Sequence, residues 1–257
     1  MNAKPVILGA GRVGQALSEA AASAGQECVL VDRSGPRDAL SGDAGVPILV
    51  ATRNDDLGGV LGAVPPHRWG DLVFLQNGAI RDWLEQQGLR RAGRGLLYFA
   101  VTERGGPIQA GQASVFTGAH AADVAEWFGA IGVEAVALDD LAFRAREFQK
   151  LCWLVVMGPL CERHGATVGG VVNQYPDDIK TLCKELAVLG QAAMGVAMVR
   201  RELEDSVHTY SSTIPSYKAS VKEWRWRNGW VSETAARLGI PVPFHDTILH
   251  QLGHGRS

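Results

Sequence analysis

Three glycines near the N-terminus have the spacing of a loop that binds dinucleotides. The run Gly9 to Gly14, with Gly11 between them, follows the apolar stretch 6–8 and opens a stretch rich in alanine. In such a loop the first glycine makes the turn, the second lets the backbone approach a pyrophosphate, and the third lets the helix pack closely on the strand. A tight turn without a ligand is the alternative. The predicted contacts are Gly9, Gly11, Arg12, Val13 and Gly14.

Asp32 and Arg33 follow the second predicted strand, at the distance where such loops select their cofactor. A carboxylate at this place accepts hydrogen bonds from the adenine ribose hydroxyls and repels a 2′-phosphate, so Asp32 favours NAD. An arginine can bind that phosphate, and Arg33 therefore leaves NADP open. We predict NAD or NADP as the cofactor, with NAD favoured.

Asn77 and Lys150 are candidate catalytic residues. Asn77 follows a predicted strand at the carboxyl edge of the sheet, where open α/β folds bind ligands; an ordinary Asn-Gly turn is the alternative. Lys150 precedes the uncharged apolar run 151–160 on a predicted helix, which indicates a lysine that faces a cleft. A lysine whose ammonium reaches water is the alternative there.

A second set of polar residues lies before and on a helix that we predict to begin at Pro215. The hydroxyls of Ser211 and Ser212, with the backbone N–H groups of a helix start, could hold a carboxylate, although ordinary N-capping explains them too. Glu223 lies on the same predicted helix, four residues before Arg227. A surface ion pair beside buried tryptophans explains that pair equally well.

Composition and charge exclude several other classes of protein. The 257 residues carry a net charge of −2, so no basic surface for nucleic acid or an anionic membrane is expected. The longest uncharged apolar run is too short to span a bilayer. Four cysteines without C-x-x-C spacing, and a start without a secretion signal, indicate reduced thiols in the cytoplasm. The near-neutral charge favours a small-molecule substrate. His250 and His254 lack a third ligand, so we predict no metal.

The elements that must position these residues form two groups along the chain. Short apolar strands alternate with helical patterns up to about residue 138, which predicts an α/β fold with a parallel sheet of the Rossmann type. Long helical patterns follow, at 140–164, 176–201 and 215–238. We therefore predict a dinucleotide-binding domain at 1–139 and an all-helical domain for substrate binding or dimerisation at 140–257.

Taken in order, these motifs resemble those of the ketopantoate reductase family over nearly the whole chain. The matching stretches are Gly9 to Gly14, 76–78, 107–111, 117–118, Lys150-Leu151, Ser211-Ser212, Glu223 with Asn228-Gly229, and 239–243. The resemblance implies a nucleotide-binding domain, a helical domain, NADPH as cofactor, and a substrate bound between the domains. It also implies that Lys150 protonates a carbonyl oxygen, Glu223 supports the lysine or holds a substrate hydroxyl, Ser212 binds a carboxylate, and Asn77 lies beside the nicotinamide.

Departures from that family indicate a different substrate. Leu154, Gly158 and Thr209 stand where the family has asparagines. Leu154 and Gly158 are therefore predicted to line a substrate pocket that is shaped for a different molecule. Arg53 stands near the place of a family lysine after a strand and is predicted to contact the cofactor.

These observations favour an NAD(P)-dependent oxidoreductase that moves a hydride between nicotinamide and a small carbonyl or hydroxy compound, an acid other than ketopantoate. An imine-reducing or opine-type dehydrogenase is the alternative within enzymes. A cofactor-binding regulatory protein without turnover is the alternative outside them. The oligomeric state stays open, with a homodimer as one option.

Overall fold

The computed structural model describes residues 4–32, 35, 37–101, 103–109 and 111–254. The chain divides into two compact units, Met1–Phe143 and Arg144–Ser257. The predicted fold class, an α/β domain followed by helices, is confirmed. The division falls near the start of the first long helix.

The first unit is built on one seven-stranded sheet. Its strands are β1 (Val6–Leu8), β2 (Val29–Val31), β3 (Ile48–Val50), β4 (Leu72–Phe74), β5 (Gly93–Leu96), β6 (Ser114–Thr117) and β7 (Ala135–Ala137). They lie in the order β2-β1-β3-β4-β5-β6-β7, and every pair is parallel except β5 with β6. Because β1 pairs with both β2 and β3, the strand order reverses beside β1. A reversal of this kind leaves a crevice at the carboxyl ends of the strands, where such sheets bind ligands.

Five helices and two 3-10 helices complete this unit. They are α1 (Arg12–Ser23), α2 (Asp38–Ser41), α3 (Leu57–Ala63), α4 (Arg81–Gln86) and α5 (Ala121–Ala130), with 3-10 helices at Asn54–Asp56 and Pro66–Asp71. Apolar side chains of α1 and α5 pack on one face of the sheet around Ile7, Leu49 and Phe116. Burying one such face is what fixes the side of each strand that points inward.

The apolar run 96–101 predicts a strand, whereas β5 ends at Leu96, where that run begins. Three of the four residues of β5 are Gly93-Arg94-Gly95, which lack the apolar signal of a strand. The structure shows why glycine is needed there, because a Cβ atom at position 95 would lie 2.5 Å from the ring of Phe116.

A buried arginine anchors the segment that follows β2. Arg68 is 1% exposed and pairs with Asp71, with Nε 2.6 Å from Oδ2. Its other nitrogens donate hydrogen bonds to the carbonyl oxygens of Ala39, Gly42 and Val46. The described part of the segment is therefore tied to the residues before β4.

The second unit is helical. Its helices are α6 (Asp140–His164, which begins in the first unit), α7 (Val168–Gln174), α8 (Pro176–Met194), α9 (Arg200–Thr213), α10 (Asn228–Leu238) and α11 (Pro243–Gln251), with a 3-10 helix at Trp224–Trp226. The predicted helix 140–164 is confirmed, and Asp139 caps its N-terminus by accepting a hydrogen bond from the Ala142 N–H at 2.8 Å. Within the described residues, no helix is long and apolar enough to cross a membrane.

Two of the predicted helices in this unit were wrong. The pattern 176–201 is interrupted at Gly195, whose left-handed backbone (φ 65°) ends α8. The helix predicted from Pro215 begins only at Asn228, and α9 instead continues through Thr213. The serine hydroxyls are therefore at the end of a helix, and not at a start where N–H groups are free.

Candidate functional site

The glycine-rich loop has the geometry of a phosphate-binding turn. Gly9 has φ 117°, and a Cβ atom on it would lie 3.0 Å from the backbone of Ala51. A Cβ atom at position 14 would lie 1.9 Å from the carbonyl oxygen of Gly9, so α1 packs directly against the turn. At Gly11, by contrast, a Cβ atom would meet no described atom within 4 Å. The first and third glycines are thus required by the fold, whereas the second borders open space.

The N-terminus of α1 and two oxygens near it fit a bound dinucleotide. No side chain caps α1 at Gly11, and no acidic residue lies in its first turn. Arg12 is exposed there, and Val13 packs against the sheet core. Nearby at the carboxyl edge, Thr52 Oγ1 and Gln76 Oε1 are buried without a hydrogen-bond partner among the described residues. Buried polar atoms normally have partners, so these oxygens suit a ligand with hydroxyl or amide donors.

The residues predicted to select the cofactor flank this crevice. Asp32 directly follows β2, is exposed, and accepts a hydrogen bond from the Gly35 N–H. Arg33 lies outside the described residues. Arg53 is exposed three residues after β3. Asp32 and Arg53 therefore follow the two strands that flank β1.

Asn77 is held in place by residues that the sequence analysis missed. The side-chain amide of Asn54 donates a hydrogen bond to the Asn77 carbonyl oxygen at 2.9 Å. Gln76 donates from Nε2 to the carbonyl oxygens of Val50 and Thr52, both at 3.0 Å. Asn77 itself is half-buried, and Gly78 has φ 92°, so the predicted turn is present. The loops after β3 and β4 are thereby joined.

Arg104 is a second residue that the sequence analysis missed. Its Nε donates a hydrogen bond to Gln15 Oε1 at 2.9 Å, and one terminal nitrogen lies 3.3 Å from the Ala10 carbonyl oxygen. The side chain therefore contacts the glycine-rich loop from a position about 90 residues away in sequence. No local pattern around residue 104 indicated this contact.

Lys150 is buried within the second unit. It is 6% exposed, so the alternative of a lysine that reaches water is wrong. Burial, together with repulsion from Arg227, lowers the pKa of Lys150 from its usual 10.5 to about 7. Glu147, 2% exposed, precedes it by three residues on α6, at a spacing where helix side chains are neighbours. A lysine with this pKa can give and take a proton near neutral pH.

Glu223 forms an ion pair with Arg227, which was one of its two predicted roles. Its carboxylate accepts a hydrogen bond from Arg227, whose charge in turn affects Lys150. Glu223 has φ 47°, and among the described residues it is the one non-glycine with positive φ. That conformation costs of order 1–3 kcal/mol for a residue with a side chain. Glu223 and Lys150 thus both interact with Arg227, which the sequence analysis treated as a surface residue.

Ser211 and Ser212 differ in their surroundings. Ser211 is buried, and its hydroxyl accepts a hydrogen bond from the Trp153 indole at 3.0 Å. Ser212 is exposed and donates to the carbonyl oxygen of Thr209 at 2.8 Å. Of the two, Ser212 is therefore the one accessible to a ligand.

The residues that replace the family's asparagines are not equivalent. Leu154 is half-buried on α6, and Thr209 is exposed on α9. Gly158 is buried, and a Cβ atom on it would lie 3.0 Å from the carbonyl oxygen of Ser220. The glycine is thus required for packing of the segment before the 3-10 helix, which explains its presence without a substrate.

The described residues contain no group of three or more His, Cys, Asp or Glu side chains that could hold a metal ion. Of the two C-terminal histidines, His254 lies against Glu162, with Nε2 3.2 Å from Oε2.

Comparison with known proteins finds a similar sequence for most of the second unit and a similar fold over nearly the whole chain. Residues 142–255 match the sequence profile of the family described as "Ketopantoate reductase PanE/ApbA C terminal". A PanE/ApbA family ketopantoate reductase from Ralstonia eutropha JMP134 is similar in structure at 21% identity, with 97% of each chain covered and a TM-score of 0.74.

Two other structures have a similar fold. D-mandelate dehydrogenase, solved with NADH and anilino(oxo)acetate, is 15% identical, with 97% of each chain covered and a TM-score of 0.74. A dimeric ketopantoate reductase from Staphylococcus aureus is 13% identical over 97% of each chain, with a TM-score of 0.72. The profile match shows that residues 142–255 are similar in sequence to the C-terminal part of ketopantoate reductases, and the solved structures show that the chain shares the fold of these enzymes and of D-mandelate dehydrogenase.

Proposed function

We propose that this protein is an NAD(P)-dependent oxidoreductase that interconverts a small 2-keto acid other than ketopantoate and its hydroxy acid. The observation that carries the proposal is the glycine-rich turn beside the strand-order reversal, with open space only at Gly11 of its three motif glycines. A turn that served packing alone would have no need of a glycine at that position. The exposed N–H groups of α1 suit the pyrophosphate of a dinucleotide.

A bound nicotinamide would supply or accept the hydride. The protein's own contribution is proton transfer and positioning. Lys150 Nζ would donate a proton to the carbonyl oxygen during reduction and accept it during oxidation, since its pKa of about 7 leaves both forms populated near neutral pH. Asn77, fixed through Asn54, would orient the reacting groups in the first unit. Ser212 would bind the substrate carboxylate.

The finer proposal for the cofactor is NAD. Asp32 follows β2 as an exposed carboxylate, which would accept the ribose hydroxyls and repel a 2′-phosphate. The similar fold of a dehydrogenase solved with NADH supports this choice. Calorimetric titration with NADH and NADPH tests it. NADPH binding at least tenfold tighter than NADH would contradict the role given to Asp32 and leave the fold unaffected.

The finer proposal for the substrate is a 2-keto acid with an apolar group. Leu154 offers an apolar surface where a family asparagine would offer hydrogen bonds. The anilino(oxo)acetate bound to D-mandelate dehydrogenase resembles such a compound in that it carries an aromatic group on an oxoacetate. An imine substrate would also fit beside an apolar side chain, so the assay must distinguish keto acids from imines.

The test is a panel of 2-keto acids with NADH, each with and without an amine, followed by loss of NADH absorbance. Turnover of one or more keto acids without an amine is expected. Turnover only with an amine would indicate an imine-reducing or opine-type enzyme instead. Tight NADH binding with no turnover on any compound would contradict an enzyme and favour a regulatory protein.

A further inference from the structure

The segment that carries Arg104 is a hairpin fixed at its base. Ala100 and Gln109 exchange two backbone hydrogen bonds, at 3.1 and 2.9 Å, and Ile108 packs against the sheet core. Arg104 lies between these ends and is exposed. The backbone that presents the guanidinium is therefore anchored on both sides.

The acceptors of Arg104 are both neutral and both belong to the glycine-rich turn or to the helix it opens. Gln15 offers a side-chain amide oxygen at 2.9 Å, and Ala10 offers a backbone carbonyl oxygen at 3.3 Å. Neither neutralises the positive charge. Neutral hydrogen bonds at an exposed site contribute little stability.

The guanidinium lies beside the place where a phosphate would approach. Ala10 is adjacent to Gly11, where the structure has open space, and the N–H groups of α1 begin at the same point. A guanidinium has five N–H donors in a planar fork, and the two bonds described use two of them. The remaining donors match phosphate oxygens in geometry and charge.

We propose that Arg104 binds the pyrophosphate of the dinucleotide, so that the hairpin 100–109 supplies a cation to the phosphate site from outside the glycine-rich loop. This inference rests on the proposed function. The pyrophosphate would lie between the N-terminus of α1 and the guanidinium. Arg104 is thus a cofactor-binding residue that does not discriminate NAD from NADP, because both contain the pyrophosphate.

Arg104→Met tests the proposal by removing the charge while keeping much of the length of the side chain. Calorimetry with NADH, NADPH and ADP-ribose should show affinity reduced about tenfold or more for all three, since a charge-assisted contact of roughly 1.4 kcal/mol or more is lost. The ratio of the NADPH and NADH affinities should stay as in the wild type. The dependence of the affinity on salt concentration should become weaker.

Three controls separate binding from folding. Arg91→Met, at another exposed arginine of the same unit, should bind like the wild type. Without ligand, Arg104→Met should melt at the temperature of the wild type, and the rise in melting temperature caused by NADH should be smaller. Gln15→Ala, which removes a protein acceptor but keeps the cation, should weaken binding less than Arg104→Met.

Several results would overturn the proposal. Wild-type affinity in Arg104→Met would do so. An equal loss of affinity in Gln15→Ala would also do so, because it would indicate that the contact between Arg104 and Gln15 only stabilises the loop. A loss confined to NADPH would show that Arg104 contacts the 2′-phosphate instead. Failure of the wild type to bind any of the three ligands would overturn the proposed function as well, whereas the other results leave that function intact.

Discussion

The side-chain amide of Asn228 donates a hydrogen bond to the carbonyl oxygen of Val155 at 3.1 Å. Val155 lies four residues before Pro159 on α6, and proline has no N–H to donate to it. Asn228 therefore replaces the bond that the helix loses, and it begins α10 directly after Arg227. The same amide lies 3.2 Å from His245 Nε2, so its place is fixed on two sides.

Asn228→Ala should destabilise the protein, because it leaves the buried carbonyl oxygen of Val155 without its donor. We expect a loss of about 1–3 kcal/mol in the free energy of unfolding by urea. Asn173→Ala, at an exposed asparagine on α7, is the control and should have little effect. In a Pro159→Ala background the backbone N–H of residue 159 is restored, so Asn228→Ala should cost less there. Equal losses in the two backgrounds would show that Asn228 does not act through Val155.

Lys150→Met should lower kcat by about 10²–10⁴-fold, the usual contribution of a general acid or base. Affinity for NADH should change little, because the glycine-rich loop belongs to the other unit. Lys180→Met, at an exposed lysine on α8, is the matched control. Wild-type kcat in Lys150→Met would remove the lysine from the mechanism.

Unfolding measurements on Lys150→Met test whether kcat falls because the proton donor is lost or because the protein is less stable. The folded protein binds the lysine proton with a pKa of about 7 and the unfolded chain with one near 10.5, so between these values the unfolded state holds more protons. The stability of the wild type therefore gains from this group as the pH rises from about 7 to 10.5. The variant, which has no charge to bury, should be the more stable of the two at pH 7 and below. Its advantage should shrink as the pH rises.

The pH dependence of kcat/KM should report Lys150 and its neighbours. Keto-acid reduction needs the protonated lysine, so it should decline as the pH rises through about 7, and hydroxy-acid oxidation should rise over the same range. Arg227→Gln removes a repelling charge and should move both profiles to higher pH. Glu223→Gln leaves Arg227 without its counter-charge and should move them to lower pH. Shifts of the same sign in both variants would contradict this arrangement.

Ketopantoate should be a poor substrate, with kcat/KM below ~10⁴ M⁻¹s⁻¹. Each hydrogen bond lost through Leu154 or Thr209 should cost of order 1 kcal/mol. Position 158 cannot regain an asparagine without displacing the backbone of Ser220, whereas Leu154→Asn can be accommodated at a half-buried position. Leu154→Asn should therefore improve ketopantoate turnover relative to the best keto acid of the panel. Ordinary enzyme efficiency of the wild type on ketopantoate would contradict the substrate proposal.

Local signals predicted most of the first unit well because its apolar strands and the glycine-rich spacing are specified by neighbouring residues. Gly14 is required by a contact with Gly9, five residues earlier, whereas Gly9 itself also contacts Ala51 in a distant loop. The second unit was predicted less well because its helix ends depend on tertiary contacts. Asn228, the first residue of α10, donates to the carbonyl oxygen of Val155, 73 residues earlier, and no local pattern contains that contact.

The same distinction holds for the candidate site. Lys150 precedes an apolar run, but that pattern left a buried lysine and a lysine that reaches water both open, and the structure shows it buried. The charge of Arg227 beside it, the anchoring of Asn77 by Asn54 and the contact of Arg104 with Ala10 all join distant segments. Such residues act on the site through the fold, and their types alone do not distinguish them from surface residues.

The measurement that tests the central claim most directly is calorimetric titration of the wild type, Gly11→Val and Gly14→Val with NADH, with thermal unfolding of each. The wild type should bind NADH, with NADPH as the comparison ligand. Gly11→Val should fold like the wild type, since no described atom lies within 4 Å of its Cβ atom, and should not bind. Gly14→Val should lose stability, because its Cβ atom would overlap the carbonyl oxygen of Gly9. Absence of binding by the folded wild type to either dinucleotide at millimolar concentration, or wild-type affinity in Gly11→Val, would contradict a dinucleotide site at this loop.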